Sequence, residues 1–303
     1  MNIHILEMPI DFGASRHGSD MGPSAIRLAG LKEKLEGLGY TIVKYTSPIQ
    51  INPQEYEEVG NPNAKYLTPI VKANTQLATE VDSIAMGGDF PLILGGDHSI
   101  ALGSLAGLSS AYKKMNKTLG VLYVDAHGDF NTDQTTSTGN IHGECMAASC
   151  GYGLEELVNL YLPERKIDPQ NVCYVGLRDL DFGERDLMKS AGVTAFTMSD
   201  IDRLGFCTVV NRVVQFFKDK KVDGVHVSFD MDCLDPMFAP GTGYQLPAGM
   251  TNREALLLME EMANSNLVRS AEVVEVNPVL DVRNQTAYLA VELICRLLGY
   301  KIF

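Results

Sequence analysis

The chain has 303 residues, 45% of them hydrophobic and 21% charged, so it can bury a sizeable core and is not expected to be disordered. Its net charge of -13 would repel phosphates, which excludes nucleic acid as a partner, and no stretch is apolar for long enough to span a membrane. No Lys or Arg precedes Arg16, and Glu7, Pro9 and Asp11 interrupt the early apolar residues, so a signal peptide is not expected; the six cysteines form no C-x-x-C pair and read as reduced thiols in a cytoplasmic protein.

In chain order, an aliphatic run at 3–6 predicts a first strand, followed by helical spacing over 23–38 and a second strand at 41–43. Residues 49–63, bounded and interrupted by Pro48, Pro53 and Pro62, read as one long surface loop. A helix is predicted over 69–86, then strands at 92–94, 121–124, 172–175 and 193–196. A helix over 201–217, a strand at 225–229, a helix over 251–262 and a strand at 273–276 complete the alternation. In the final helix Ala287, Ala290, Val291, Ile294 and Leu298 share one face, which leaves Arg283, Glu292 and Arg296 to reach water. Strand and helix alternate throughout, with no linker or repeat. The pattern implies a single three-layer α/β domain over 1–303, with a mainly parallel eight-stranded sheet flanked by helices.

Polar residues gather where three of these strands end. Asp97, His98 and Ser99 follow one; Asp125, His127 and Asp129 follow another; Asp230 and Asp232 follow a third. In an open parallel sheet, ligands bind beyond the carboxyl ends of the strands, so segments far apart in sequence can converge there. Residues two apart on an extended segment point the same way, which groups Asp125, His127 and Asp129, and likewise Asp230 and Asp232. Four carboxylates in one crevice would repel one another and take up protons unless divalent cations joined them. Oxygen-rich sites with one imidazole per ion suit Mn(II) better than thiolate-preferring metals. Taken singly, Asp97 and Asp235 read as turn formers or helix caps, and His4, His17 and His226 as structural or surface residues.

The motifs GGDHS (95–99), DAHGDFN (125–131), GNIHG (139–143), SFDMDCLDP (228–236) and EVNP (275–278) resemble the arginase, or ureohydrolase, family. The likeness covers nearly the whole chain and includes DMGPSAIRLAGL (20–31) and GLRDLDFGE (176–184). The resemblance implies one manganese ion held by His98, Asp125, Asp129 and Asp230, and a second held by His127, Asp125, Asp230 and Asp232. Co2+ or Ni2+ can substitute in such sites. It further implies that a water shared by the ions loses a proton near neutral pH and attacks a guanidinium carbon. In that scheme Asp129 passes a proton to the leaving amine, His142 shuttles protons to solvent, and Glu275 holds the guanidinium.

The same resemblance places Asn131, Thr136 and Thr138 around an α-carboxylate, and Asp181 and Glu184 near an α-amino group. That layout fits L-arginine, cleaved to L-ornithine and urea. Related substrates, namely agmatine, guanidinobutyrate and formiminoglutamate, stay open, because the chain departs from the family pattern at Tyr244–Gln245 and at Glu144–Cys145. A non-catalytic paralogue serving as a binding module would be expected to have lost ligands, yet all six metal positions are present. A homo-oligomer, trimer or hexamer, is expected from the family. The end at Phe303, soon after the last helix, is expected to leave no long tail for subunit contacts.

Overall fold

The computed structural model describes residues 2–45 and 49–303, so Pro48 lies outside the described residues. Eight strands form the main sheet: β1 (Asn2–Met8), β2 (Thr41–Tyr45), β3 (Phe90–Gly95), β4 (Leu119–Val124), β5 (Val172–Leu177), β6 (Thr194–Thr197), β7 (Gly224–Asp230) and β8 (Val268–Val274). Their spatial order is β2-β1-β3-β8-β7-β4-β5-β6, and every pairing is parallel. The sheet is therefore wholly rather than mainly parallel.

Alternation along each strand feeds two separate cores, one on either face. Leu92, Leu94, Leu122, Val124, Val225 and Val227 pack with the helices Gly22–Leu28, Phe206–Asp219, Asn252–Ser265 and Gln285–Leu297. Ile93, Val121, Tyr123, Val172 and Tyr174 pack on the other side with Leu67–Met86 and Ala101–Lys114. Three layers follow from this two-sided burial. The site depends on the middle of the sheet, where β3, β8, β7 and β4 are consecutive neighbours and end side by side.

Several boundaries differ from the sequence expectation, each for a local reason. The helix expected over 23–38 breaks into Gly22–Leu28 and Leu31–Gly37 at Gly30, whose φ of 85° lies in the left-handed region. The helix expected over 201–217 breaks likewise at Gly205, φ 77°, between Met198–Leu204 and Phe206–Asp219. Helix Ala101–Lys114 is rich in small residues and shows little apolar stripe. Its Gly103 and Gly107 abut the backbone oxygens of Asn74 and Ala78, where an added Cβ would come within 2.6 and 2.5 Å.

The last strand was expected at 273–276 but runs over Val268–Val274, because Ser270 and Glu272 interrupt its apolar pattern. Glu275 has left the strand, with φ at 63°. Arg296 does not reach water as expected: it is buried against Glu260 at 2.7 Å and lies over the Tyr300 ring. The stretch 49–63 is a loop apart from a short turn at Gln54–Tyr56 and a two-residue strand, Gly60–Asn61, paired with Ala64–Lys65.

Candidate active site

The three polar strand ends share one local device, in which an aspartate folds back to accept from the backbone N–H two residues on. Asp97 Oδ1 accepts from Ser99 at 2.8 Å, Asp125 Oδ1 from His127 at 2.7 Å, and Asp230 Oδ1 from Asp232 at 2.7 Å. The residues therefore converge through turns and not through an extended segment. Asp129 in particular reaches the cluster by a left-handed backbone, φ 48°. Asp97 and Asp235 act as the turn and cap residues expected of them: Asp97 also accepts from Gly13 N, and Asp235 from Met237 N and Ala248 N. His4 pairs with Asp89, while His17, near Asp11, is about half exposed.

All six expected metal positions meet at the carboxyl ends of the central strands. His98 Nδ1 lies 3.1 Å from Asp125 Oδ2, 3.2 Å from Asp129 Oδ2 and 3.1 Å from Asp230 Oδ2. His127 Nδ1 lies 3.4 Å from Asp125 Oδ1 and 3.2 Å from Asp232 Oδ2. Two ligand groups result, His98–Asp125–Asp230 and Asp125–His127–Asp232, each with its donor atoms within 4.8 Å of one another. Asp125 belongs to both, whereas Asp230 joins only the first as the side chains lie.

The electrostatics of this cluster fit divalent cations. Burial, then Asp129 and Asp232, push the Asp125 carboxyl up; burial, then Asp232 and Asp125, push Asp230 well up. Burial would lower the imidazole of His98, but Asp125, Asp129 and Asp230 around it drive it well above its usual range. Asp125 Oδ2 and Asp232 Oδ1 are buried without a hydrogen-bond partner. Oxygens left over in a dry, self-repelling group of carboxylates are what a cation would satisfy. The donor set of carboxylates with one imidazole in each group contains no thiolate.

A cavity of about 820 Å3 opens above the cluster, lined on its floor by His127, Asp129, Asp230 and Asp232, with His98 and Asp125 beneath. Asn131, Thr136, Thr138, Asp181 and Glu184 all line it. Several already have internal work. Glu184 accepts from Phe130 N at 2.9 Å and from Asp181 N at 3.1 Å, capping the helix Phe182–Ala191, and burial pushes its carboxyl up to about 7. Asp181 accepts from Asn131 Nδ2 at 3.0 Å, and Thr136 and Thr138 hydroxyls accept from the backbone of Gly139 and Asn140. His142 and Glu275 also face the cavity, with His142 Nδ1 3.1 Å from Glu275 Oε1.

Some contributors were not foreseen from sequence. Tyr123 stacks on His98 with ring centroids 4.5 Å apart and donates to Asp129 Oδ2 at 2.7 Å. Its position two residues before Asp125 on the same strand was the available signal. Arg178 binds the backbone carbonyls of Asp232, Cys233, Leu234, Leu246 and Pro247, so it fixes the loop that carries Asp232 and Tyr244. Tyr244 lies edge-on to His127, centroids 5.3 Å apart, and closes one side of the cavity.

The model of the arginase family matches residues 1–299. The chain belongs to the arginase family. It is 46% identical to the arginase of Brevibacillus brevis and 45% identical to that of Bacillus subtilis, covering 99% of this chain in both cases and 99% and 98% of those proteins. The native structure of the Bacillus caldovelox arginase superposes with a TM-score of 0.95 at 44% identity, covering 100% of this chain and 99% of the other. The arginase family is metal-dependent, and the two His/Asp groups found here could hold a metal ion.

Proposed function

We propose that this chain hydrolyses L-arginine to L-ornithine and urea, acting as one catalytic domain over 1–303 with two manganese ions. The observation that carries the reading is the pair of ligand groups sharing Asp125 beneath a polar cavity, in a chain that matches arginases over nearly its full length. His98, Asp125, Asp129 and Asp230 would hold one ion, and His127, Asp125, Asp230 and Asp232 the other. Bound divalent ions supply Lewis acidity and make water a nucleophile near neutral pH.

The chain's own residues then do the positioning and the proton work. Glu275 accepts hydrogen bonds from the guanidinium, a charge-assisted contact that aims the carbon toward the floor. Water adds to that carbon and the bond to the ornithine nitrogen breaks; one of the water's protons leaves through His142 to solvent and the other ends on the leaving amine. Asp129, whose Oδ2 is oriented by the Tyr123 hydroxyl, carries that proton across. His142, beside Glu275 and lining the cavity, exchanges protons with solvent. Asn131, Thr136 and Thr138 take the α-carboxylate, and Asp181 and Glu184 the α-amino group, by shifting some of their present internal bonds.

Urea release from manganese-loaded protein, measured on a panel of guanidino compounds with metal content followed in parallel, tests the reading. Turnover is expected with L-arginine above agmatine and guanidinobutyrate; urea from agmatine but not from arginine would overturn the substrate assignment. The proposal extends to a homo-oligomer, trimer or hexamer, in the cytoplasm, which rests on the family alone and is checked by light scattering and cell fractionation.

A further inference from the structure

Beneath the metal ligands, the central strands carry a column of polar side chains where a sheet interior is ordinarily apolar. His226 and Ser228 of β7 stand in register with Ser270 and Glu272 of β8. All four are fully buried, while the alternate residues Val225, Val227, Ala271 and Val273 pack into the opposite core. Polar groups so placed are costly unless they satisfy one another. Most of them do, in a chain: His226 Nδ1 is 2.9 Å from Ser270 Oγ, while His226 Nε2 lies 3.4 Å from Glu272 Oε1, an electrostatic contact and not a hydrogen bond. Glu272 Oε1 is in turn 2.7 Å from Ser228 Oγ, and Ser228 Oγ is 2.7 Å from His98 Nε2.

The direction of this chain is set by proton count. A carboxylate only accepts, so the single hydroxyl proton of Ser228 goes to Glu272 and the hydroxyl oxygen is left to accept. His98 must then carry its hydrogen on Nε2. With the ring neutral, as a metal ligand must be, that leaves the Nδ1 lone pair facing Asp125, Asp129 and Asp230. Glu272 stays ionised: burial raises its carboxyl, but the His226 ring beside it brings it below the usual range.

We propose that Ser228 and Glu272 are positioning residues that lock His98 in its Nε2–H tautomer and so present Nδ1 to a metal ion, with His226 and Ser270 anchoring the far end. The inference rests on the metal reading above. Removing an outer partner of a ligating histidine typically weakens metal binding by about 10- to 100-fold.

Manganese titration of metal-stripped protein by calorimetry is the test. Ser228→Ala and Glu272→Gln should each weaken one class of site by about 10- to 100-fold and leave the other class near its original affinity. Ser228→Thr, which keeps the hydroxyl, should recover most of the loss. In zinc-loaded, 15N-histidine-labelled protein the His98 Nε2–H proton should be exchange-protected, and in Ser228→Ala it should lose that protection while the backbone amides of β7 and β8 keep theirs, a pattern that general loosening of the fold does not produce. Ser228→Ala removes a single oxygen, so it keeps the question answerable if Glu272→Gln fails to fold. Unchanged affinity in a folded Ser228→Ala variant overturns the positioning role alone. If the unaltered chain takes up no manganese, the metal reading falls and the positioning role falls with it.

Discussion

His142 Nδ1 stands 3.1 Å from Glu275 Oε1, so two residues that the family resemblance assigns to different tasks are in direct contact. The same carboxylate oxygen accepts from the backbone N–H of His98 at 3.0 Å. Glu275 thereby ties the proton-exchanging imidazole to the strand end that carries a metal ligand. Burial would lower the His142 imidazole, but Glu275, ahead of Asp129 and Asp97, raises it to about 9. In metal-free Glu275→Gln the main raising influence is gone, and the His142 titration followed by NMR should move down toward or below the ordinary value of 6.5. An unshifted His142 would mean that the contact is not electrostatic in origin. The same variant should lose about 10- to 100-fold in kcat/KM, the worth of a hydrogen bond to a charged group.

Asp125 is the one side chain common to both ligand groups. Asp125→Ala should leave neither group able to hold its ion, so manganese content falls to background and urea release is lost. A bound ligand at about 100 times its Kd stabilises the native state by about 2.7 kcal/mol. The unaltered chain should therefore gain thermal stability when manganese is added, and Asp125→Ala should gain none. Retention of a manganese-dependent rise in Tm by the variant would place the centre elsewhere.

Much of this was legible in the sequence because chemistry-bearing residues directly follow apolar runs. Asp125 and His127 sit just past β4, Asp230 ends β7 and Asp232 follows it, where a switch from apolar to polar is visible without any structure. What lies within the strands was hidden. Ser228, His226 and Glu272 occupy alternate positions of β7 and β8, and a scan for aliphatic runs passes over them or cuts the strand short, as it did for β8. The turns that bring the ligands together were hidden too, since alternation describes an extended chain and cannot anticipate the left-handed Asp129 and Glu275. Glu184 is a substrate contact by the resemblance alone, and its capping of the helix Phe182–Ala191 shows only when both of its oxygens are located.

Arg178 offers a test of how the site is held together. Its guanidinium is shared among five backbone carbonyls on the segment from Asp232 to Pro247, a fan of contacts no other side chain type can reproduce. Arg178→Met keeps much of the aliphatic stem and leaves those carbonyls unpaired. The expected loss is on the order of 3 kcal/mol, seen as a lower denaturation midpoint. Arg178→Lys should recover only part of it. Because Asp232 rides on this segment, weaker manganese binding should accompany the loss; a destabilised variant with unchanged metal affinity would show that Asp232 is placed independently of Arg178.

Glu144 supplies a pH dependence separate from the metal ligands. It is about 1% exposed, and neither carboxylate oxygen has a hydrogen-bond partner. Burial, and after it the charge of Asp133, raise its carboxyl from 4.5 to about 8. The folded protein thus keeps a proton that the unfolded chain releases at lower pH. Its contribution to stability is whole below 4.5 and is lost as the pH climbs toward about 8, by about 1.4 kcal/mol per pH unit over the steep part. Glu144→Gln has a similar shape and cannot ionise. The two proteins should be equally stable near the lower limit and separate as the pH rises, the variant ending more stable by an order of a few kcal/mol in alkaline buffer. Urea denaturation across that range is the measurement, and a constant difference at every pH would remove Glu144 as the titrating group.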